Sequence, residues 1–155
     1  MNRPEDQSSE VAFRVGVIGT DRVAANFARA CAEAGVACTD ITFAVGAGSG
    51  TDDASRLALD RLQVVVHPGA NTPVDMARVL HWIESAIAPS AVFVAETSNA
   101  SLSTLARAAN RPDRVEGASF SQCDDHIRFV EIVRGARTSD AAISSTLNFM
   151  TRIGM

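Results

Sequence analysis

The residues with the clearest chemical potential form a phosphate-binding turn whose spacing is right and whose side chains are wrong. Residues 14–19 (RVGVIG) read as a buried strand ending in glycine, and Gly19-Thr20-Asp21-Arg22-Val23-Ala24 follows. In a dinucleotide-binding G-x-G-x-x-G turn the first glycine makes the tight turn and the second lets the backbone approach a pyrophosphate. The helix N-terminus behind them offers free N–H groups to the anion. Here Gly19 keeps the first place, Asp21 takes the second and Ala24 the third. Asp21 brings a side chain and a negative charge to the point where an anion would have to approach. Gly19, Thr20, Asp21, Arg22 and Ala24 are therefore candidate cofactor-binding residues of a weakened site. A second glycine-rich stretch, residues 46–53 (GAGSGTDD), lacks the Gly-Lys-Ser/Thr ending of a P-loop and reads as a connector.

The elements that must position this turn alternate strand with helix. A strand over 13–18 is followed by a helix over 22–34, with Val23, Phe27, Ala30, Cys31 and Ala34 on one face and Gly35 as its stop. Strands are expected over 36–45 and 62–66, with a short helical stretch over 54–60 between them. Pro73 then starts a helix whose Met76, Val79, Leu80, Ile83 and Ile87 recur at helical spacing. A strand over 91–95, a helix over 101–109 and strands over 114–120 and 128–134 come next. Ser139 is expected to cap a final helix carrying Ile143, Leu147 and Met150. Alternation of this kind implies an α/β fold, a Rossmann-type, mostly parallel sheet with helices on both faces. One such domain over 13–155 is expected, behind a polar N-terminal arm over 1–12.

The totals agree. The 155 residues are 46% hydrophobic and 21% charged, values of an ordinary globular chain long enough to bury one core. A net charge of −4 without a basic run disfavours nucleic acid and anionic membrane surfaces as partners. Cys31, Cys38 and Cys123 are odd in number and lack C-x-x-C spacing, so they read as buried free thiols of a cytoplasmic protein, with no zinc or other metal site. The polar first ten residues and the absence of an apolar run of about 18 residues predict neither export nor a membrane span. His67 and His81 have no ligand spacing and read as structural or surface residues, and Trp82 as semi-exposed packing.

A more specific pattern lies between 91 and 138. Glu96-Thr97-Ser98 follows a strand, Arg111-Pro112-Asp113-Arg114-Val115-Glu116-Gly117 precedes the next, and then come Phe120, Val130-Glu131-Ile132-Val133-Arg134-Gly135 and Thr138-Ser139. In order and spacing this resembles the NAD-binding domain of 3-hydroxyacyl-CoA dehydrogenases. With residues 14–35 the resemblance covers most of the chain, leaving about 45–62 without a counterpart. The resemblance implies a catalytic trio. A histidine takes the proton from the 3-hydroxyl as hydride leaves for NAD, a glutamate orients it, and a serine assists at the substrate oxygen. Carried over from the family motifs S-N-T-S, G-x-H-F-F-N-P and V-E-V, the serine is Ser98 and the glutamate Glu131. The histidine position is Ser119.

Serine has no imidazole to shuttle a proton near neutrality, so the family mechanism cannot run through position 119. Ser121, Gln122 and Cys123 replace Phe, Asn and Pro in the same motif, and His126 reads as a surface-loop histidine. The acidic residue expected on the adenosine ribose falls at Thr42, with Asp40 nearby, and a family glutamate and lysine fall near Thr72 and Ala77. The separate C-terminal helical domain of the family has no counterpart before Met155, which predicts an open substrate cleft. These departures lead to the expectation of a catalytically inactive relative of the NAD-binding domain. It would serve as an interaction or regulatory module, self-associating or bound to a protein partner, with no cofactor or weakly bound NAD. The alternatives are a non-catalytic nucleotide or CoA binder, and an oxidoreductase completed by another chain. On the plainer reading, Ser98 is a turn or capping hydroxyl, Glu131 is solvated or paired with Arg128 or Arg134, and Asp21 pairs with Arg22 or a neighbour.

Overall fold

The computed structural model describes residues 12–41, 58–69, 73–97 and 101–155. Residues 1–11, Thr42, the 46–53 stretch, Thr72 and Ser98 lie outside them. Six strands form one sheet: β1 (Arg14–Ile18), β2 (Ala37–Ile41), β3 (Val64–His67), β4 (Val92–Glu96), β5 (Val115–Cys123) and β6 (His126–Val133). Their order is β2-β1-β3-β4-β5-β6; the first five pair in parallel and β6 runs antiparallel to β5. Among the described residues four α-helices cover it: α1 (Arg22–Glu33), α2 (Pro73–Ala86), α3 (Leu102–Ala108) and α4 (Asp140–Arg152). The α/β, mostly parallel, doubly covered sheet expected from the alternation is the observed one.

Alternation along the strands sorts the core into two layers. Val15, Val17, Val64, Val66, Val92, Val94 and Ala118 pack with Phe27 and Cys31 of α1 and with Ala142, Phe149 and Met150 of α4. Their neighbours Ile18, Val65, Phe93, Ala95 and Val115 pack with Met76, Val79, Leu80 and Ile83 of α2 and Leu105 of α3. Because β3 and β4 are buried on both faces, their sequences VVVH and VFVAE show no polar alternation.

Four local readings change. The final helix buries Ala142, Thr146, Phe149 and Met150, and Leu147 stands 51% exposed. Phe149, stacked on Phe13 at 6.0 Å, turns the helix away from the expected stripe. The strand expected to begin at 62 starts at Val64, because Leu62 closes a turn on Leu59 and Gln63 donates its N–H to the Arg14 carbonyl. That shift takes His67 into the strand. The gap between 120 and 128 is not a loop: β5 and β6 continue to a tight turn at Asp124-Asp125, with Asp124 at φ +55°. His126 is thereby the first residue of β6, opposite Cys123. Of the three cysteines only Cys31 is fully buried; Cys38 is half-buried and Cys123 exposed.

Candidate functional site

The carboxyl ends of β1 and β3 meet where the chain leaves the sheet in opposite directions, the place at which open α/β sheets form their crevice. Gly19 leaves β1 at φ +131°, a conformation open to glycine and strained for other residues. Asp21 then acts as the N-cap of α1, its Oδ1 accepting from the Ala24 N–H at 2.8 Å. Its other oxygen faces the segment after β3. A Cβ built on Gly69 would lie 2.6 Å from Asp21 Oδ2, so the carboxylate sits directly on the Gly69 backbone. Asp21 and Arg22 do not pair with each other. Arg22 instead reaches Asp125 of the β5–β6 turn at 3.7 Å, both groups largely exposed. Ala24 packs into the core, and Asp40 is exposed on β2.

Below Asp21 lie two ionisable groups whose enclosure the sequence reading did not anticipate. His67 ends β3 at 3% exposure and Glu96 ends β4 at 8%. Burial holds the His67 imidazole below its ordinary range, while backbone interactions and the negative charges of Asp21 and Glu96 pull it partly back. The surface alternative for His67 is thus excluded and the structural one retained. The available signal was its position: the last residue of an unbroken apolar run, directly before Pro68-Gly69, at the ligand-facing end of a parallel strand.

Farther along the same edge, the register of β5 and β6 sets Ser119 directly opposite Glu131. Side chains so placed have Cβ atoms about 4.5–5.5 Å apart. The two positions to which the resemblance gives the histidine and the glutamate are therefore brought together. Ser121 and Phe129 form the next pair on this face, Phe129 being 59% exposed. The turn that leads to position 98 is tied to β5 by Thr97, whose N–H and hydroxyl both donate to the Ala118 carbonyl, at 3.0 and 3.2 Å. Glu131 is exposed and bonds to neither Arg128 nor Arg134. Arg134 is engaged by Asp140 at 2.6 Å and by the Thr138 carbonyl, which overturns that pairing. The pair sets a hydroxyl beside a carboxylate, without the imidazole that the resemblance gives to position 119.

On the opposite face of β5, Glu116 is fully buried beneath α4. Neither carboxyl oxygen makes a hydrogen bond of good geometry. Burial pushes its pKa up to about 7, with the buried Thr146 hydroxyl drawing it partly back. A lone glutamate in the apolar run VEGASF was the visible signal. Among the described residues no three His, Cys, Asp or Glu side chains gather as metal ligands, and no helix is long and apolar enough to cross a membrane.

Sheet order, glycine turn and crevice together define a dinucleotide-binding type of domain. Residues 51–155 match the family model of the 3-hydroxyacyl-CoA dehydrogenase NAD binding domain, and the chain belongs to that family. The matched stretch includes Ser98, Ser119 and Glu131 and begins after the Gly19 turn. The fatty acid oxidation complex subunit alpha of Pseudomonas paraeruginosa is 30% identical over 93 residues, 60% of this chain and 13% of that protein. Among solved structures, FadB2 of M. tuberculosis superposes with a TM-score of 0.73 at 25% identity, over 91% of this chain and 61% of the other. The (S)-3-hydroxybutyryl-CoA dehydrogenase PaaH1 of Ralstonia eutropha gives 0.72 at 19% identity, over 91% and 60%. The chain thus spans about three-fifths of those two structures and a small part of the curated relative.

Proposed function

We propose that this chain is a non-catalytic member of its family, a domain that keeps the dehydrogenase scaffold and works through protein contacts, as a self-associating or partner-binding regulatory module. The observation that carries this reading is the double engagement of Asp21. One oxygen caps the first turn of α1 and the other rests on the backbone of Gly69, so a carboxylate holds the position a pyrophosphate would need. The residues at the turn do not fit that anion as they stand. Ser119 opposite Glu131 supports the same reading, since the pair lacks the imidazole that the family's histidine position would supply. The uncovered face carrying Phe129 supplies apolar area for contact with a second copy or another protein.

Two measurements on the purified chain test this reading. Fluorescence titration with NADH is expected to give binding no tighter than millimolar, and sedimentation a dimer that weakens in Phe129→Ser. Micromolar NADH affinity, or a strict monomer at high concentration that also retains no partner, would overturn the proposal.

A weaker second reading rests on the left-handed Gly19 turn and the intact α1 behind it: a module that binds a nucleotide or CoA fragment without turning it over. Should NADH bind, the third reading, an oxidoreductase completed by a separate polypeptide, is tested by Glu131→Gln in a reconstituted complex. Full retention of activity would exclude the family chemistry.

A further inference from the structure

On the covered face of β5, α4 encloses a carboxyl group and gives it nothing to bond to. The helix crosses β3, β4 and β5 and buries Ala142, Thr146, Phe149 and Met150. Glu116, in register with Val94 of β4, lies beneath it and is fully buried. Neither Glu116 oxygen makes a hydrogen bond of good geometry, and neither does the equally enclosed Thr146 hydroxyl. Among the described residues, the elements around this carboxyl offer it no free cation. On this face β3 contributes Val64 and Val66 and α1 contributes Phe27 and Cys31, while alternation turns His67 with Val65 to the other face. Glu96, two residues beyond Val94, shares the face and carries the same sign as an ionised Glu116. Arg134, next in register after the Gly117–Val133 pair, is held by Asp140 of α4 at 2.6 Å and by the Thr138 carbonyl at 3.1 Å. Arg152, near the other end of α4, lies 5.7 Å from the centre of the Phe13 ring.

The polar links of α4 gather at its N-terminal end. Thr138 Oγ1 donates to the Val115 carbonyl at 2.7 Å, the Ser139 N–H donates to the Asp113 carbonyl at 3.0 Å, and Asp140 holds Arg134. Farther along, Ala142, Phe149, Met150 and Ile153 pack against the sheet through apolar contact, which has no directional bond to break. We propose that Glu116 is a pH-sensitive latch for α4: the helix lies on the neutral acid, and loss of the proton lets it swing off the sheet about residues 135–139. An unpaired carboxylate in an apolar layer is costly, so the ionised group is stable only where water reaches it. Lifting α4 admits that water, releases the proton to solvent and bares Val94 and Ala118, while the links to residues 113–115 stay in place. An opening that exposes Glu116 returns its pKa from about 7 to the ordinary 4.5. The opening constant then rises by up to about tenfold per pH unit between these values, roughly 300-fold in all, and levels off above them.

Amide hydrogen exchange of the folded full chain from pH 5 to 8 tests this, each rate being divided by the intrinsic rate of that amide at the same pH. At pH 8 the amides of residues 143–152 are expected to be less protected than those of β3 and β4 by about tenfold or more, the mark of a local opening. Their protection is expected to fall by roughly 50- to 100-fold from pH 5 to 8. Glu116→Gln, which cannot ionise, is expected to abolish that fall. Protection of α4 that is independent of pH in the wild-type chain would overturn the proposal without recourse to a variant, and so would a fall that persists in Glu116→Gln. Exchange in α4 no faster than in β3 and β4 at every pH would also overturn it, because the carboxyl would then be exposed only when the whole domain unfolds.

Discussion

The two ends of the crevice treat their polar groups in opposite ways. Where β1 and β3 end, Asp21 caps its own helix and lies against the neighbouring loop, and His67 and Glu96 lie enclosed beneath it. Where β5 and β6 run side by side, Glu131 and Phe129 stand in solvent, and Ser119 faces Glu131 with nothing above the pair among the described residues. The closed end retains the backbone devices of a cofactor turn, namely a left-handed glycine, a capped helix and a crevice at the strand ends. Its side chains now satisfy those devices internally. The open end sets Ser119 and Glu131 in register, with a serine where the resemblance gives a histidine. A side chain can cap such a turn from within the fold, because the N–H groups of a helix terminus need a partner whether or not a phosphate supplies it.

If enclosure sets the energetic weight of a polar group, the largest effect belongs to Glu116, buried without a good hydrogen bond. Its folded pKa, about 7, lies above the ordinary glutamate value of 4.5. The folded state then holds the extra proton between these values, so the stability tied to this group is complete below about pH 4.5 and is lost as pH rises through 7. A shift of this size corresponds to up to roughly 3 kcal/mol. His67 acts with the opposite sign: its folded pKa is depressed, so its contribution is lost as pH falls below 6.5. Comparing wild type with Glu116→Gln cancels His67. Urea unfolding should show the variant gaining relative stability from pH 4.5 to 8, and a pH-independent difference would refute the assignment.

Asp21 is the sharper probe of the contrast itself. Asp21→Gly removes the carboxylate from the crevice, and because glycine is an adequate N-cap it should cost only a few tenths of a kcal/mol in stability. NADH affinity should rise by about tenfold or more, equivalent to ~1.4 kcal/mol. Asp21→Ala should lose about 1 kcal/mol of stability through the missing cap. NADH titration beside thermal melts separates the two effects. An unchanged dissociation constant in the glycine variant would show that the carboxylate is not what keeps nucleotide out.

Sequence made the scaffold legible because its signals are periodic. Met76, Val79, Leu80, Ile83 and Ile87 announced a helix face, and all five are buried. Gly19 and Gly35 were found through turns that demand positive φ, and both adopt it. Ser139 caps α4 through the Ala142 N–H, as its place before the helix suggested. The site was legible only where chain neighbours define it. That Ser119 and Glu131 face each other follows from strand register, and spacing gave only their separate positions. The enclosure of His67, Glu96 and Glu116 depends on which helices lie over each strand end, information spread over the whole fold. Leu147 falls on the expected face through its spacing from Ile143 and Met150, whereas the packing of Phe149 on Phe13 buries Thr146 and Phe149 and leaves Leu147 outside.

The smallest effect should come from the one described ion pair that links the two ends. Arg22 and Asp125 are 3.7 Å apart with side chains 73% and 65% exposed, so solvent screens them and ordering two mobile side chains offsets much of the attraction. Arg22→Ala and Asp125→Ala should each change stability by no more than about 0.5 kcal/mol, with a double-mutant coupling of similar size that fades at high salt. The buried-side link between the same elements is of a different kind: Asn26, 6% exposed on α1, donates to the Gln122 side chain of β5 at 3.0 Å. Breaking it with Gln122→Ala leaves a nearly buried amide short of a partner and should cost about 1–3 kcal/mol. Equal losses from the exposed and the buried link would mean that enclosure is not what distinguishes the closed end of the crevice from the open one.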